Sequence, residues 1–165
     1  MPDNRPAVVL DINVLVNALV GEDSEFPYLA QVPASGSNAD ADCLSIAFDA
    51  DDFRVFISPH IIENLTRILD EAGLSENTVE QYIDAVVDVI ITSGGEVVAP
   101  LRTVFDVVDH EGNLILDLAV ACEASIVVSN DTDLTSISPW HNRVAVLRPR
   151  EFVNRVLQMR RGRNI

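Results

Sequence analysis

The 165-residue chain is predicted to adopt an α/β fold, a three-layer α/β/α domain with a central parallel sheet of four to five strands. Short β-prone apolar runs alternate with longer segments of helical periodicity, and polar residues, Gly and Pro separate them. Strands separated by helices in this order favour right-handed crossovers that place helices on both faces of one sheet. We therefore expect a single domain over residues 1–153, followed by an arginine-rich C-terminal tail over residues 154–165.

The N-terminal third of the chain predicts a strand, a helix, a loop and a second helix. Residues 7–10 form an apolar β-prone run, and a short helix over 13–20 ends at Gly21. Between residues 21 and 42 the composition shifts to Glu, Asp, Pro, Ser and Gly, which indicates a surface loop. This loop leads into a helix over roughly residues 42–50.

The middle of the chain repeats the strand–helix pattern. Residues 54–57 are the second predicted strand, after which Ser58 provides an N-cap and Pro59 occupies the first helical position. Ser75 caps a further helix that runs to about residue 92. A short third strand is then predicted over residues 96–99.

The C-terminal third completes the predicted sheet. After a loop over residues 106–112, an apolar helix over 114–122 precedes the fourth strand at 125–129. Residues 143–147 form the last strand. Pro149 starts a final helix that runs into the arginine-rich tail, which we expect to be frayed or bound to a partner.

Charge and composition exclude several classes of protein. Twenty-six acidic residues against eleven basic ones give a formal net charge of −15, which opposes nonspecific phosphate binding through the overall field. Every basic residue is an arginine, so Walker phosphate loops, Schiff-base enzymes and receiver-type phosphorelay domains lack their essential lysine. Neither a signal peptide nor a disulfide framework nor a membrane span fits the sequence. We expect a zinc-free, cytoplasmic protein that does not contact membranes.

Acidic residues at predicted strand ends carry the chemical signal. Asp11 follows the first strand, Asp131 follows the fourth, and Glu63 lies one turn into the helix after the second. Because ligands of open parallel sheets collect beyond the carboxyl ends of the strands, we expect these carboxylates to converge. Carboxylates this close repel each other unless a cation neutralises them, and without a Cys or His cluster the suitable cation is Mg²⁺ or Mn²⁺.

Each of these acids also has a simpler structural interpretation. Asp11 could cap the helix that begins near Asn13, and Glu63 could be a solvated helix residue. Asp131 and Asp133 could form an Asx-type turn that opens a short helix. The histidines lack triad or metal-ligand spacing and are interpreted as structural or surface residues: His60, His110 and His141.

Four short segments together resemble the successive motifs of the PIN-domain ribonucleases. Their order and spacing match, and they comprise residues 8–16 around Asp11, 61–65 around Glu63, 109–119, and 127–134 around Asp131. The resemblance extends from Ala7 to about Val153. Residues 147–152 are similar to the ending of the VapC-like group, the toxin components of toxin–antitoxin systems.

The resemblance implies a Mg²⁺- or Mn²⁺-dependent endoribonuclease that hydrolyses phosphodiester bonds of single-stranded or structured RNA. It implies that Asp11, Glu63 and Asp131 are the catalytic acids. Asn13 would orient Asp11 or a bound water, and Asp133 would border the site. A cognate antitoxin is the protein partner that it implies. The basic tail of this acidic chain could hold such an antitoxin or a second copy of the chain, and a homodimer is expected.

One position departs from the family pattern. The loop before the fifth helix usually carries two aspartates three positions apart, and here Asp109 occupies the first while Gly112 occupies the second. Glu111, Asp109 at the loop start or Asp117 could replace the missing acid. The expected metal ligands are therefore Asp11, Glu63, Asp109 and Asp131, with Glu111 or Asp117. A catalytically weakened PIN-like domain that binds protein or RNA is the alternative function.

Two further points concern phosphate chemistry. A haloacid-dehalogenase-like phosphatase also begins with an Asp after the first strand, but its second Asp falls on Asn13 and its lysine does not exist here. An RNA strand would need local arginines, because a body with a charge of −15 cannot attract phosphate globally. Arg102, Arg148 and the tail are the candidates.

Overall fold

The computed structural model describes residues 3–20, 38–48 and 52–163. In these ranges the order of elements is β1 Ala7–Leu10, α1 Ile12–Val20, α2 Ala39–Phe48, β2 Arg54–Phe56, α3 Pro59–Glu71, α4 Glu76–Thr92, α5 His110–Ala121, β3 Ile126–Val128, α6 Thr132–Thr135, β4 Ala145–Leu147 and α7 Pro149–Arg163. Over the same ranges, each helix is too short or too polar to cross a lipid bilayer.

The strands form one sheet in the order β2-β1-β3-β4, and every neighbouring pair is parallel. In the centre of the sheet Val8 of β1 pairs with Val55 of β2 on one side and with Ile126 of β3 on the other. All four residues of β1 are buried, as expected of a parallel strand covered by helices on both faces. The predicted three-layer α/β/α fold with a parallel sheet is confirmed.

The parallel arrangement brings the ends of the strands to a common border of the sheet. We term the border that follows Leu10, Val128 and Leu147 the carboxyl edge, and the border at which these strands begin the amino edge. Main-chain hydrogen bonds continue one residue beyond the strands, from Asp11 N to Val128 O (2.9 Å) and from Ser129 N to Leu147 O (2.9 Å). The first residues after β1 and β3 are therefore held as firmly as the strands themselves.

The predicted strand at residues 96–99 is a single parallel bridge between Ile57 and Val97. The N–H of Ile57 donates to Glu96 O (3.3 Å) and the N–H of Val98 donates to Ile57 O (2.8 Å). Pro100 follows two residues later and has no N–H with which to extend a ladder. In the described part of the chain the sheet accordingly has four strands.

Two helices begin earlier than the sequence predicted, because a polar side chain caps each one. Asn38 Oδ1 accepts the N–H of Ala41 (3.1 Å), so α2 begins at Ala39 rather than at residue 42. Asp109 accepts the N–H of Glu111 (3.3 Å), so α5 begins inside the predicted loop. The predicted loop at residues 21–37 and the last two positions of the predicted helix, 49–50, lie outside the described residues.

The tail, which was expected to be frayed or bound to a partner, continues α7 as far as Arg163. Arg160 Nε donates to Asp52 Oδ2 (2.7 Å), and Arg163 Nη2 donates to Asp52 Oδ1. The side chain of Asp52 is only 1% exposed. A buried carboxylate thus binds two arginines near the end of α7, because burying its charge unpaired would be costly.

Candidate functional site at the carboxyl edge

Asp11 directly follows β1 and is buried, with 6% of its surface exposed. Its Oδ1 accepts the N–H of Ile12 (2.7 Å), and its Oδ2 accepts the Ser129 hydroxyl (2.7 Å) and the Asn13 side-chain amide (3.0 Å). The main-chain carbonyl of Asp11 accepts the N–H of Val14 (3.0 Å) and so begins α1. A simple N-cap would direct its side chain to the second or third N–H of the helix, whereas Asp11 reaches across to the end of β3.

Burial raises the pKa of Asp11 above its ordinary value, and the negative charge of Asp131 raises it further. The hydrogen bonds from Ser129, Ile12 and Asn13 act in the opposite direction but do not cancel the effect of burial. The ionised carboxylate is therefore held in an environment that favours its neutralisation, by a proton or by a nearby cation.

Ser129 connects the two acids that follow the central strands. Its hydroxyl donates to Asp11 Oδ2 and accepts the N–H of Asp131 (2.9 Å), and the residue is fully buried. Asp131 Oδ1 caps α6 by accepting the N–H of Asp133 (2.9 Å). No donor among the described residues contacts Asp131 Oδ2, so this oxygen is available to a ligand.

A second chain of hydrogen bonds runs from Asp11 to the start of α2. Asn13, whose Nδ2 holds Asp11, accepts at its Oδ1 both the main-chain N–H (3.1 Å) and the side-chain amide (3.3 Å) of Asn130. The same Asn130 amide donates to Asp40 Oδ1 (2.7 Å), and Asp40 is half-buried in the first turn of α2. Three members of this network were not selected by the sequence analysis: Asp40, Ser129 and Asn130.

Glu63 is exposed on α3 and accepts no hydrogen bond from the described residues. The helix begins at the carboxyl edge, where the Ser58 hydroxyl accepts the N–H of Ile61 (3.1 Å). Glu63 lies three positions after His60, so helical geometry places it on the side of α3 that carries His60. That side adjoins the start of α5, as the contacts of His60 show.

Glu111 joins α3 to α5. Its Oε2 lies 3.0 Å from His60 Nε2 and accepts the Asn64 side-chain amide (3.1 Å). Asp109, two residues before Glu111, is exposed and caps α5. The first turn of α5 therefore carries two acids at its surface, of which Glu111 is engaged in helix packing.

The surroundings of Gly112 and Asp117 do not favour a metal-binding carboxylate at either position. A Cβ atom at Gly112 would lie 3.0 Å from Val107 Cγ2 and 3.4 Å from Leu134 Cδ2, so this position adjoins apolar side chains. Asp117 is 1% exposed, and its carboxylate accepts the N–H groups of Thr103 and Val104 (both 2.8 Å) and pairs with Arg102. Asp117 therefore holds the loop before α5, and its contacts do not include Asp11 or Asp131.

The structure brings Asp11 and Asp131 together, whereas Glu63 and Asp109 lie on neighbouring helices. Within residues 3–20, 38–48 and 52–163, no three His, Cys, Asp or Glu side chains are grouped as a metal site. In the described part, Asp11 and Asp131 are the pair brought together, and Glu63 stands at the start of a neighbouring helix. The potential metal ligands fit a hard cation, because they are carboxylate oxygens. Asp131 Oδ2 accepts no hydrogen bond from the described residues, and the negative charges of Asp11 and Asp131 repel each other.

The histidines lie apart from the pair of acids. His60 contacts Glu111, His141 Nε2 lies 3.1 Å from Asp106 Oδ2, and His110 is exposed at the start of α5. His141 also lines a groove of about 600 Å³ at the amino edge, together with Trp140, Arg143 and Ser125. This groove and Asp11 therefore lie at opposite edges of the sheet.

A protein-family model described as PIN domain matches residues 7–133. The match covers more than half of the chain, begins at the first residue of β1 and ends at Asp133 in α6. It includes Asp11, Glu63, Asp109 and Asp131. No curated protein matches the chain.

Proposed function

Because the chain belongs to the PIN domain family, whose members are generally nucleases, we propose that it is a metal-dependent endoribonuclease acting on single-stranded RNA. The observation that carries the proposal is the pair formed by Asp11 and Asp131 at the carboxyl edge. Asp11 is buried and held by three donors beside a second carboxylate, an arrangement that a cation would stabilise. Mg²⁺ or Mn²⁺ is the cation that matches these oxygen donors.

Asp11 and Asp131 would hold this cation, and Glu63 and Asp109 would reach it from the starts of α3 and α5. When bound, the cation supplies the charge that stabilises the phosphoryl group and lowers the pKa of a water molecule. Asn13 keeps the Asp11 carboxylate in one orientation. Ser129 fixes the spacing of the two acids, because its hydroxyl bonds both residues. Preorganised carboxylates of this kind reduce the cost of ordering the site around substrate.

The direct test is Asp11→Asn, assayed for Mn²⁺-dependent cleavage of a labelled single-stranded RNA. We expect a loss of at least about 100-fold, since the replaced group binds the cation itself and even supporting groups around metals contribute 10–100-fold. His141→Ala is the control, because this exposed residue bonds Asp106 away from the acids. Unchanged cleavage by Asp11→Asn would remove the basis for the assigned site.

A toxin of a toxin–antitoxin pair is the finer form of the proposal. It is supported by the resemblance of residues 147–152 to the ending of the VapC-like group. These residues span the end of β4 and the first turn of α7, where Phe152 is buried. The proposal includes an antitoxin partner and a homodimer. Growth arrest on expression in a bacterial host, lost with Asp11→Asn, would support the toxin role, and unimpaired growth with active enzyme would contradict it.

A weakened PIN-like domain that binds a partner is the second candidate. Gly112 favours it, because the usual acid is replaced by a residue packed against Val107 and Leu134. Calorimetric titration with Mn²⁺ separates the two functions. Binding that disappears in Asp131→Asn supports the nuclease, whereas no binding to the wild-type protein supports the noncatalytic domain.

A further inference from the structure

The candidate arginines for RNA binding have different surroundings in the structure. Arg102 pairs with the buried carboxylate of Asp117, and its guanidinium lies 5.1 Å from the centre of the Phe105 ring. In the tail, Arg160 and Arg163 bind Asp52. Each of these guanidinium groups already neutralises a carboxylate of the fold, so binding a phosphate would compete with an existing ion pair.

Arg148 is placed differently, at the carboxyl edge itself. It is exposed and directly follows β4, and its Nη1 donates to the main-chain carbonyl of Asn130 (3.2 Å). Asn130 lies between Ser129 and Asp131, so the guanidinium lies against the segment that carries the second acid. Its remaining N–H groups have no acceptor in the described parts of the chain, and nearby Glu151 uses its Oε1 for the main-chain N–H of Arg148 (3.3 Å).

We propose that Arg148 binds a backbone phosphate of single-stranded RNA beside Asp131, an inference that rests on the proposed nuclease function. The acids of this edge and the net charge of −15 repel a polyanion, so a productive approach of RNA requires a local cation. A guanidinium that uses one N–H for a carbonyl retains donors for a phosphate oxygen pair.

The sheet sets the position of this contact. Ser129 N donates to Leu147 O (2.9 Å), so the chain segments that carry Asp131 and Arg148 leave adjacent strands from neighbouring points. Arg148 therefore holds a phosphate at a fixed place relative to the acids. The phosphate nearest the hydrolytic site is thereby selected through the backbone of the RNA rather than through its bases.

Arg143 provides a matched control at the other end of β4. It lies two residues before the strand, is exposed like Arg148, and lines the groove at the amino edge. Replacing either arginine by alanine changes the net charge by the same amount. A difference between the two variants therefore measures a local contact and not the field of the whole protein.

The experiment is fluorescence anisotropy with a labelled single-stranded RNA, titrated at several salt concentrations in EDTA and again with Ca²⁺. Arg148→Ala is expected to weaken binding about tenfold. It should also reduce the slope of log affinity against log salt by about 0.7, the value for one phosphate contact with a single strand. Arg143→Ala should change affinity less than about twofold. Arg148→Lys, which keeps the charge and loses the fork geometry, should lie between Arg148→Ala and the wild-type protein.

Cleavage with Mn²⁺, measured in parallel, separates this inference from the proposed function. Equal effects of Arg148→Ala and Arg143→Ala, or wild-type affinity in Arg148→Ala, would overturn the contact while leaving an active nuclease intact. Selective loss of binding in Arg148→Ala by a chain that cleaves no RNA would support the contact and overturn the hydrolysis. Failure of the wild-type protein to bind RNA in either buffer overturns both. If Arg148→Ala unfolds, Arg148→Lys decides the outcome.

Discussion

The carboxyl and amino edges of one sheet differ in what they offer to a ligand. At the carboxyl edge, hydrogen bonds join the buried Asp11 and Ser129 to the partly buried Asp131. At the amino edge lies a groove of about 600 Å³ with Trp140 in its wall. The comparison teaches that a spacious groove and a set of reactive side chains need not coincide, since this groove lies away from the acids.

Two strands allow the edges to be compared residue for residue. Ser125 directly precedes β3 and Ser129 directly follows it. Arg143 lies two residues before β4, and Arg148 directly follows that strand. The side chain of Ser125 is exposed and unbonded among the described residues, whereas that of Ser129 is buried and bonded to both acids. Residue types are equal in each pair, so the differences in role come from position on the sheet.

The largest expected effect is a loss of RNA cleavage in variants of the carboxyl edge but not of the amino edge. Asp131→Asn and Asp11→Asn should each reduce Mn²⁺-dependent cleavage by at least about 100-fold, and the double variant should lose little more, because groups that act as a unit are not additive. Ser125→Ala, at the amino edge, should retain wild-type turnover. Steady-state kinetics on a defined RNA oligonucleotide measures all four. Losses that multiply in the double variant would mean that the two acids have separate roles.

The second prediction uses the matched serines and concerns stability. Ser129→Ala removes the hydroxyl that Asp11 Oδ2 and the N–H of Asp131 both use, and is expected to lower the free energy of unfolding by about 1–3 kcal/mol. Ser125→Ala should change it by less than about 0.5 kcal/mol. Urea denaturation provides the measurement. Equal destabilisation by the two substitutions would show that the Ser129 network adds nothing beyond ordinary packing.

The third prediction concerns pH. Burial raises the pKa of Asp11 above 3.8, so the folded state holds this proton more tightly than the unfolded state does. The stabilisation that comes from protonated Asp11 is fully present below pH 3.8. It is lost as the pH rises through the pKa of Asp11 in the folded state. Asp11→Asn should therefore be more stable than wild type at neutral pH, and this advantage should shrink on acidification.

Urea unfolding across the acidic to neutral range checks this pH dependence. Asp133→Asn, an exposed neighbour, is the control and should follow the wild-type curve. Mn²⁺ should reverse the order at neutral pH, because a ligand that binds only the folded wild type stabilises it by mass action. A constant difference between Asp11→Asn and wild type at all pH values would contradict the burial effect.

The smallest expected effect is on stability and concerns Gly112, which stands where the family usually has an aspartate. Both Gly112 and Gly162 are helical, but a Cβ at Gly162 has no heavy atom within 4 Å, whereas one at Gly112 lies 3.0 Å from Val107 Cγ2. Gly162→Ala should gain up to about 1 kcal/mol from helix propensity, and Gly112→Ala should lose that gain to crowding. Thermal unfolding of the two variants distinguishes them.

Gly112→Asp extends this comparison to metal binding. A carboxylate that faces Val107 and Leu134 should destabilise the protein further without improving Mn²⁺ affinity. A clear rise in Mn²⁺ affinity would instead show that position 112 reaches the acids of the carboxyl edge.

Local signals made the strands and their terminal acids predictable. The apolar run over Ala7–Leu10 is buried on both faces, and such strands have a distinct sequence pattern. Asp11 and Asp131 follow from the rule that ligands gather at strand ends, and the structure does place them together. Ser129 could have been selected by the same rule, since it is the first residue after β3.

Long-range contacts explain what the sequence could not predict. Asp40 lies in an acidic, polar stretch that is typical of a solvated surface. Its contact with Asn130 joins residues 90 positions apart, and a local sequence pattern does not reveal such a contact. The end of α7 has the composition of a frayed tail, yet it is ordered by Asp52, 108 positions before Arg160. The β-prone run at 96–99 forms only one bridge, because strand length depends on the partner strand as well as on propensity.

The bond between Ser129 and Asp11 has a consequence for how the protein is made. The two residues are 118 positions apart, so the pair of acids cannot assemble until synthesis has passed residue 131 and the chain has left the ribosome to that point. Synthesis proceeds at roughly 5–20 residues per second, so each nascent chain lacks its assembled site for several seconds while it remains next to messenger and ribosomal RNA. Fragments that end before β3 lack Ser129 and Asp131 and cannot form the site at all.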